Sequence, residues 1–298
     1  MAPSACRLPI ELSDGPQAGR PGFVNYPAGT FTLDPAGSPG GAPDWSTGKT
    51  YDWKFSRWVP ARYELMSPDG AHYAYTETIP NPASQGLGGP PPLGSRVHLV
   101  DVATGKDAIV YQTRDLLFAV ALKPEGIYLS QPSQYVDTAV PLYLWLLNPS
   151  TGSEQKLLGG KLVEPSFRAI GNGVLWTTVV DPSNPVGRGN SDNELVSLKL
   201  ADGTPTAWFD QPKESIQLLG LDSDGHPVIS IQDSGGSWQT VVVSAPNVTR
   251  RIANQYFSSM VTDSHGLWLS GPGVVLVRPD RSIQKFSTQS GWLLGPCG

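Results

Sequence analysis

The sequence is short of charge, of histidine and above all of cysteine, and each shortage narrows what the chain can be. Charged residues make up 16% of the 298 positions, and the 21 Lys and Arg are scattered under a formal net charge of −5. That excludes a basic face built for nucleic acid. No apolar run is long enough for a membrane-spanning helix, so no transmembrane segment is expected. The four histidines, at positions 72, 98, 226 and 265, show neither an HxH nor an HExxH spacing, and no zinc site is expected. A Gly-x-Ser-x-Gly elbow, which would present a serine nucleophile, is absent as well.

The two cysteines stand at positions 6 and 297, a separation that suits neither a CxxC redox motif nor a local metal pair. A Cys6–Cys297 disulfide is the simplest reading, and it implies an oxidising, extracytoplasmic compartment and a secreted protein. The alternative is that Cys6 is a lipid-anchoring cysteine, since Ser4-Ala5 supplies the small residues that precede one, although Pro3 replaces the usual aliphatic residue. The N-terminus carries no basic region followed by an apolar one, so a leader is expected to have been removed.

What the sequence has in quantity is glycine and proline, 33 and 29, together about a fifth of the chain. They punctuate five segments of one design: an apolar stretch, a tight turn ending in Gly, and a strand rich in aromatic or β-branched residues. The turn glycines are Gly70, Gly126, Gly173, Gly225 and Gly266, roughly 40–55 residues apart. Each hairpin is followed by a third strand (97–101, 142–147, 195–200, 240–244 and 274–277) and a short fourth one. Four strands per 40–50 residues is the blade of a β-propeller.

The expected fold class is therefore all-β: a six-bladed β-propeller of four-stranded antiparallel blades, occupying 1–298 as a single domain. Its closing blade is expected to combine Gly291–Leu294 as first strand with N-terminal strands at Phe23–Tyr26, within the strand-and-turn segment Thr30–Gly37, and at Tyr51–Phe55. Residues 1–22 then form an N-terminal arm, and 23–60 and 288–298 share the closing blade. Five blades plus an N-terminal extension is the alternative. Closure removes the open sheet edges that promote aggregation, and a monomer is expected.

Ser67-Pro-Asp-Gly70 with alternating Tyr73 and Tyr75, and Asp101-Val-Ala-Thr-Gly105, resemble the blade motifs of TolB-like six-bladed propellers. Cys6-Arg-Leu-Pro9, the segment from Tyr26-Pro27 to Asp34-Pro35, Arg57-Trp58-Val-Pro60, Asp263-Ser-His-Gly-Leu-Trp268 and the terminal Gly-Pro-Cys297 resemble secreted propellers of environmental (soil) bacteria. The resemblance implies fold and export and no particular activity. Repeated Trp-Asp dipeptides, kelch glycine pairs and the Ser-x-Asp-x-Gly-x-Thr-Trp box are absent.

Long connections at 77–95, 131–141 and 181–194 define an expected ligand face. The polar residues leading into first strands include Arg62, Glu64, Asp115, Glu164, Arg168 and Glu214. As a hydrolase of a glycoside, lactone or ester, the chain would use Glu64, Glu164 and Asp115 as catalytic acids, and Ca²⁺ is the cofactor such carboxylates would hold. The two Asn that calcium-dependent propeller hydrolases add to their Glu and Asp are not found at matching positions. As a binding propeller, it would use Trp58, Tyr135 and Trp238 for stacking and Arg62, Arg168 and Arg188 for polar contacts with a glycan, small molecule or protein ligand. With no recognisable catalytic constellation, the binding reading leads.

Overall fold

In the computed structural model the Gly-punctuated repeats are antiparallel hairpins. The described residues are 5–37, 48–83, 90–131, 141–163, 168–180 and 192–298. They divide into two compact units: Met1–Gly41 with Pro165–Leu200 and Thr204–Gly298, and Ala42–Glu164 with Ala201–Gly203.

The first unit opens with β1 (Cys6–Leu12), β2 (Pro21–Tyr26) and β3 (Thr30–Leu33). The second unit begins with the hairpin β4 (Thr50–Asp52) and β5 (Arg57–Val59) and a 3₁₀ turn at Tyr63–Leu65. Its three-stranded sheet follows, β6 (His72–Ile79), β7 (Gly94–Asp101) and β8 (Asp107–Thr113). A four-stranded sheet comes next, β9 (Phe118–Lys123), β10 (Gly126–Ser130), β11 (Pro141–Leu147) and β12 (Glu154–Val163). The chain then returns to the first unit as β13 (Arg168–Gly171), β14 (Val174–Val179), β15 (Glu194–Lys199) and β16 (Pro205–Asp210). The next blade is β17 (Ser215–Leu221), β18 (Pro227–Gln232), β19 (Trp238–Ala245) and β20 (Val248–Ala253). The last is β21 (Ser259–Asp263), β22 (Gly266–Gly271), β23 (Gly273–Val277) and β24 (Ile283–Ser287), and β25 (Gly291–Leu293) then pairs with β1 in the sheet β25-β1-β2-β3.

Five sheets of four strands and one of three match the six expected blades, and the β4-β5 hairpin stands outside that count. The glycines at 70, 126, 173, 225 and 266 all have positive φ, from 68° to 145°, the backbone that these turns require and that a side chain resists.

Within the first unit, neighbouring sheets pack through the apolar members of their alternating strands. Trp176, Leu195 and Phe209 meet Ile216, Leu218, Ile229 and Ile231, while the opposite face of that second sheet sends Val228 and Val242 against Leu267, Leu269 and Val275. Both faces of β18 are thus buried, which is why Pro-Val-Ile-Ser-Ile reads as a nearly continuous apolar run. In the second unit Ala74 and Val97 pack against Ala119, Leu122 and Leu147 in the same manner. Burying each such large side chain contributes about 1.5–3 kcal/mol.

The closing blade differs from the expectation by one strand. Its second strand is Cys6–Leu12, so Phe23–Tyr26 is third and Thr30–Leu33 fourth, and Tyr51–Asp52 belongs to the separate hairpin with Arg57–Val59. The assignment of 1–22 to an N-terminal arm does not hold. Leu8, Ile10 and Leu12 alternate along one buried face, and Pro9, which obscures that alternation in the sequence, lies opposite Phe23 while its carbonyl accepts the Leu294 N–H at 3.0 Å. Arg62 and Glu64, expected to lead into a first strand, lie just before and within the 3₁₀ turn Tyr63–Leu65, and Met66 bridges to Tyr73.

Cys6 and Cys297 are joined in a disulfide with Cα atoms 5.6 Å apart. The thiol of Cys6 is therefore occupied, and the lipid-anchoring alternative falls. Around this staple Arg7 and Gly298 exchange backbone hydrogen bonds at 3.0 and 3.2 Å, and the Leu293 N–H donates to Ser259 Oγ at 2.9 Å. Asp263 ties the C-terminal segment to β22: its Oδ2 accepts from Cys297 N–H at 2.9 Å and from the Trp268 indole N–H at 2.8 Å, and Oδ1 accepts from His265 N–H at 2.7 Å. No helix among the described residues is long and apolar enough to cross a membrane.

Candidate functional site

The residues named from sequence fall in both units. In the second unit, Glu64 is exposed on the 3₁₀ turn that Arg62 precedes, and Asp115 is exposed between β8 and β9, where its N–H donates to Thr113 Oγ1 at 3.2 Å. Trp58 lies in β5 with its ring edge-on to Tyr51, centroids 5.0 Å apart. In the first unit, Trp238 opens β19 against Tyr256, centroids 4.7 Å apart, and Arg168 opens β13 opposite Thr177. Both tryptophans are thus half-buried and backed by a tyrosine rather than standing out on loops. Glu164, Tyr135 and Arg188 lie outside the described residues.

A denser set of polar groups gathers at one end of the blade β13-β14-β15-β16, and a repeated structural requirement explains its place. At three crossings from one blade to the next among the described residues, the start of a third strand holds the crossing segment. Ser95 Oγ accepts from Leu117 N–H at 2.9 Å, and Thr240 Oγ1 donates to the Gln255 carbonyl at 2.9 Å. Before β15 the task passes to backbone: the carbonyl of Asn193 accepts from Gln211 N–H at 3.0 Å, and that of Asp192 from Ile216 N–H at 2.7 Å. The Asp192 carboxylate is thereby directed elsewhere, taking a 2.6 Å hydrogen bond from Thr178 Oγ1. Thr177, Thr178 and Asn193 are fully buried, and Asp192 is 8% exposed. Burial of this many hydrogen-bonding groups is unfavourable unless each is paired, so the cluster is an ordered, buried polar network in an otherwise apolar blade.

Glu214 adjoins the same end, its N–H bonded to the Gln211 carbonyl at 3.1 Å. Its Oε2 is buried and has no hydrogen-bond partner among the described residues. Ser215 pairs with Gln232 across β17 and β18, so the next step outward sets Glu214 opposite Asp233. Burial pushes the Glu214 carboxyl above the usual carboxylate range, and the Asp233 charge pushes it the same way.

The sign of this shift gives a test. The neutral form is favoured in the folded chain, so its stabilising effect is complete below the ordinary carboxylate pKa and is lost as pH rises through the raised one. Glu214→Gln should therefore melt about 2 °C above the parent at neutral pH, with the difference disappearing near about pH 4. Thermal unfolding from acid to neutral pH checks this, and a pH-independent difference would show that charge is not the cause.

Sequence reading placed Glu214 among the polar residues leading into first strands but passed over Thr178 and Asp192, which look like ordinary residues flanking a long loop. The available signal was that Thr177-Thr178 and Asp192-Asn193 border the two central strands of one blade at the same end. At the other end of β17 and β18, Asp222, Asp224 and His226 bring ligand-type atoms within 4.8 Å of one another. Turn formation accounts for them, because Asp222 Oδ1 accepts from the N–H groups of Asp224 and His226 at 3.0 and 2.8 Å.

No protein-family model and no curated protein matches the chain. Solved structures do match, and they define a class, the β-propeller. A prolyl endopeptidase structure aligns with TM-score 0.54 and 9% identity over 94% of this chain and 42% of its own. An oligogalacturonate lyase in complex with manganese gives 0.51 and 12% over 75% and 63%. TolB from Acinetobacter baumannii gives 0.50 and 12% over 95% and 61%. This chain thus spans less than two thirds of the length of each of these structures, and the likeness is one of fold: a TolB-like β-propeller. The disulfide fits an extracytoplasmic location.

Proposed function

We propose that the chain is a secreted binding propeller that holds a polyhydroxylated ligand, a glycan or a related small molecule, at the polar end of the blade β13-β14-β15-β16. The observation that carries this reading is the buried set Thr178, Asp192 and Asn193 at the same end of the blade as Glu214, whose carboxyl burial pushes above the usual range. Hydrogen-bond donors and acceptors held rigid by a sheet are what recognition of hydroxyl groups requires. Trp238 with Tyr256 supplies a backed ring face in the same unit. The resemblance to propellers secreted by soil bacteria supports export.

Titration calorimetry of the whole chain against a panel of oligosaccharides tests the proposal. A binding oligosaccharide should lose about tenfold in affinity in Glu214→Gln and in Asp192→Asn. Heat from no oligosaccharide, or binding untouched by both substitutions, would overturn the assignment.

One observation favours a hydrolase as the second reading. A carboxyl whose pKa is raised above the usual range is suited to act as a general acid, the role Glu214 would take. Turnover of the bound oligosaccharide, lost in Glu214→Gln and compared with and without Ca²⁺ and EDTA, separates this reading from binding alone.

A further inference from the structure

In the second unit, β7 presents Arg96 and His98 on one face, since alternate residues share a face, and the register sets them opposite Glu77 and Tyr75 of β6. His98 is 8% exposed although the two carboxylates that flank it are nearly half exposed. Its Nδ1 lies 2.9 Å from Asp107 Oδ1 on β8, and its Nε2 lies 3.5 Å from Glu77 Oε2 on β6. The Tyr75 ring stacks on the imidazole at 4.4 Å and 16°, and its hydroxyl donates to Asp107 Oδ2 at 2.6 Å. Arg96 completes the group, donating to Glu77 Oε2 at 3.0 Å and to Gln112 Oε1 at 3.3 Å. Beyond Tyr75 stands Tyr73, which feels Asp107 and, from β5, Arg57.

We infer that His98 is a pH-operated brace: as an imidazolium it ties β6 to β8 through Glu77 and Asp107, and as a neutral ring it releases Glu77. The geometry requires this asymmetry. A neutral imidazole that donates Nδ1–H to Asp107 turns the Nε2 lone pair toward the Glu77 carboxylate, so two acceptors face each other with no proton between them. The imidazolium places an N–H on both sides, in a buried setting where an opposite charge on each flank offsets its desolvation. Arg96 keeps Glu77 ionised, holding its carboxyl below the usual range, with a smaller contribution from His98. Glu77 is therefore ready to accept the second N–H whenever His98 carries it.

The brace sits at the stem of the connection from β6 to β7. Glu77 and Arg96 are each two residues from the ends of the strands, where Ile79 pairs with Gly94 and its carbonyl accepts the Leu93 N–H at 2.9 Å. Asn81 Nδ2 donates to the Pro91 carbonyl at 3.1 Å just beyond. Charging His98 thus tightens the pairing that anchors this connection. The site is independent of the ligand reading above.

Hydrogen exchange of the whole chain, corrected for intrinsic rates, reads the brace directly. Protection of the Leu93, Ser95 and Thr78 amides should fall by about tenfold from pH 5.5 to pH 8 in the parent. The fall should be absent in His98→Gln and in Glu77→Gln, while amides of β14 and β18 keep their parental profile. Thermal unfolding should show the same pattern, the parent losing about 2–4 °C more than either variant over that range. Glu77 is half exposed, so Glu77→Gln carries the test should His98→Gln fold poorly. A parental pH dependence that survives in Glu77→Gln would overturn the brace, as would stem protection that does not change with pH.

Discussion

Replacing Cys6 and Cys297 together by serine is expected to lower the free energy of unfolding by about 4–5 kcal/mol. A cross-link between residues 6 and 297 restricts nearly the whole unfolded chain, so on chain-entropy grounds it belongs near the top of the range for a single disulfide. Urea unfolding of the double variant and of the parent treated with reductant should give the same loss. The blade itself should persist without the bond, since Ile10 pairs with Leu293 and Arg7 with Gly298 through backbone hydrogen bonds. A loss below about 1 kcal/mol would mean that contacts between the two ends persist in the unfolded ensemble and already restrict it without the bond.

The second large effect is expected at Asp263, whose side chain is 9% exposed. Asp263→Ala removes the acceptor for the Trp268 indole N–H and for the Cys297 N–H together, and Trp268 is fully buried. Stranding two donors in an apolar cluster formed with Tyr26 and Phe286 should be destabilising by about 3 kcal/mol. Asp263→Asn, which keeps one acceptor oxygen, should lose about half as much. Because Asp263 and the disulfide hold the same segment, Asp263→Ala in the Cys6→Ser, Cys297→Ser background should be less damaging than in the parent. A strictly additive result would show that Asp263 acts on Trp268 alone.

The blades were legible in the sequence because their determinants are local. A glycine at a positive-φ turn and apolar residues at alternate positions are properties of a dozen neighbouring residues, and all five turns stand where they were read. The closing blade was misread by one strand because its pairing is set across the length of the chain. Pro9 and the few residues flanking it gave too short an alternation to outrank Thr30–Leu33 as a third strand. The Cys6–Cys297 pairing was legible for the opposite reason, since two cysteines leave one partner. The polar cluster escaped notice because Thr178 and Asp192 become neighbours only through strand register, which their places at the flanks of a long loop do not fix. The environment of His98 was hidden likewise: Glu77, His98 and Asp107 come from three strands and meet only when those strands are paired.

The pairing of β25 with β1 also fixes when folding can finish. Leu8 and Ile10 leave the ribosome long before the strand that covers their edge is made. Until β25 emerges, β1 is an apolar strand with one open side, a template for any extended segment it meets. The blades between them can each form from contiguous sequence, whereas this one waits for β25. Yield of native protein should therefore depend on how well the nascent N-terminal strand is shielded, by dilution or by chaperones, and less on the intrinsic stability of the finished blades.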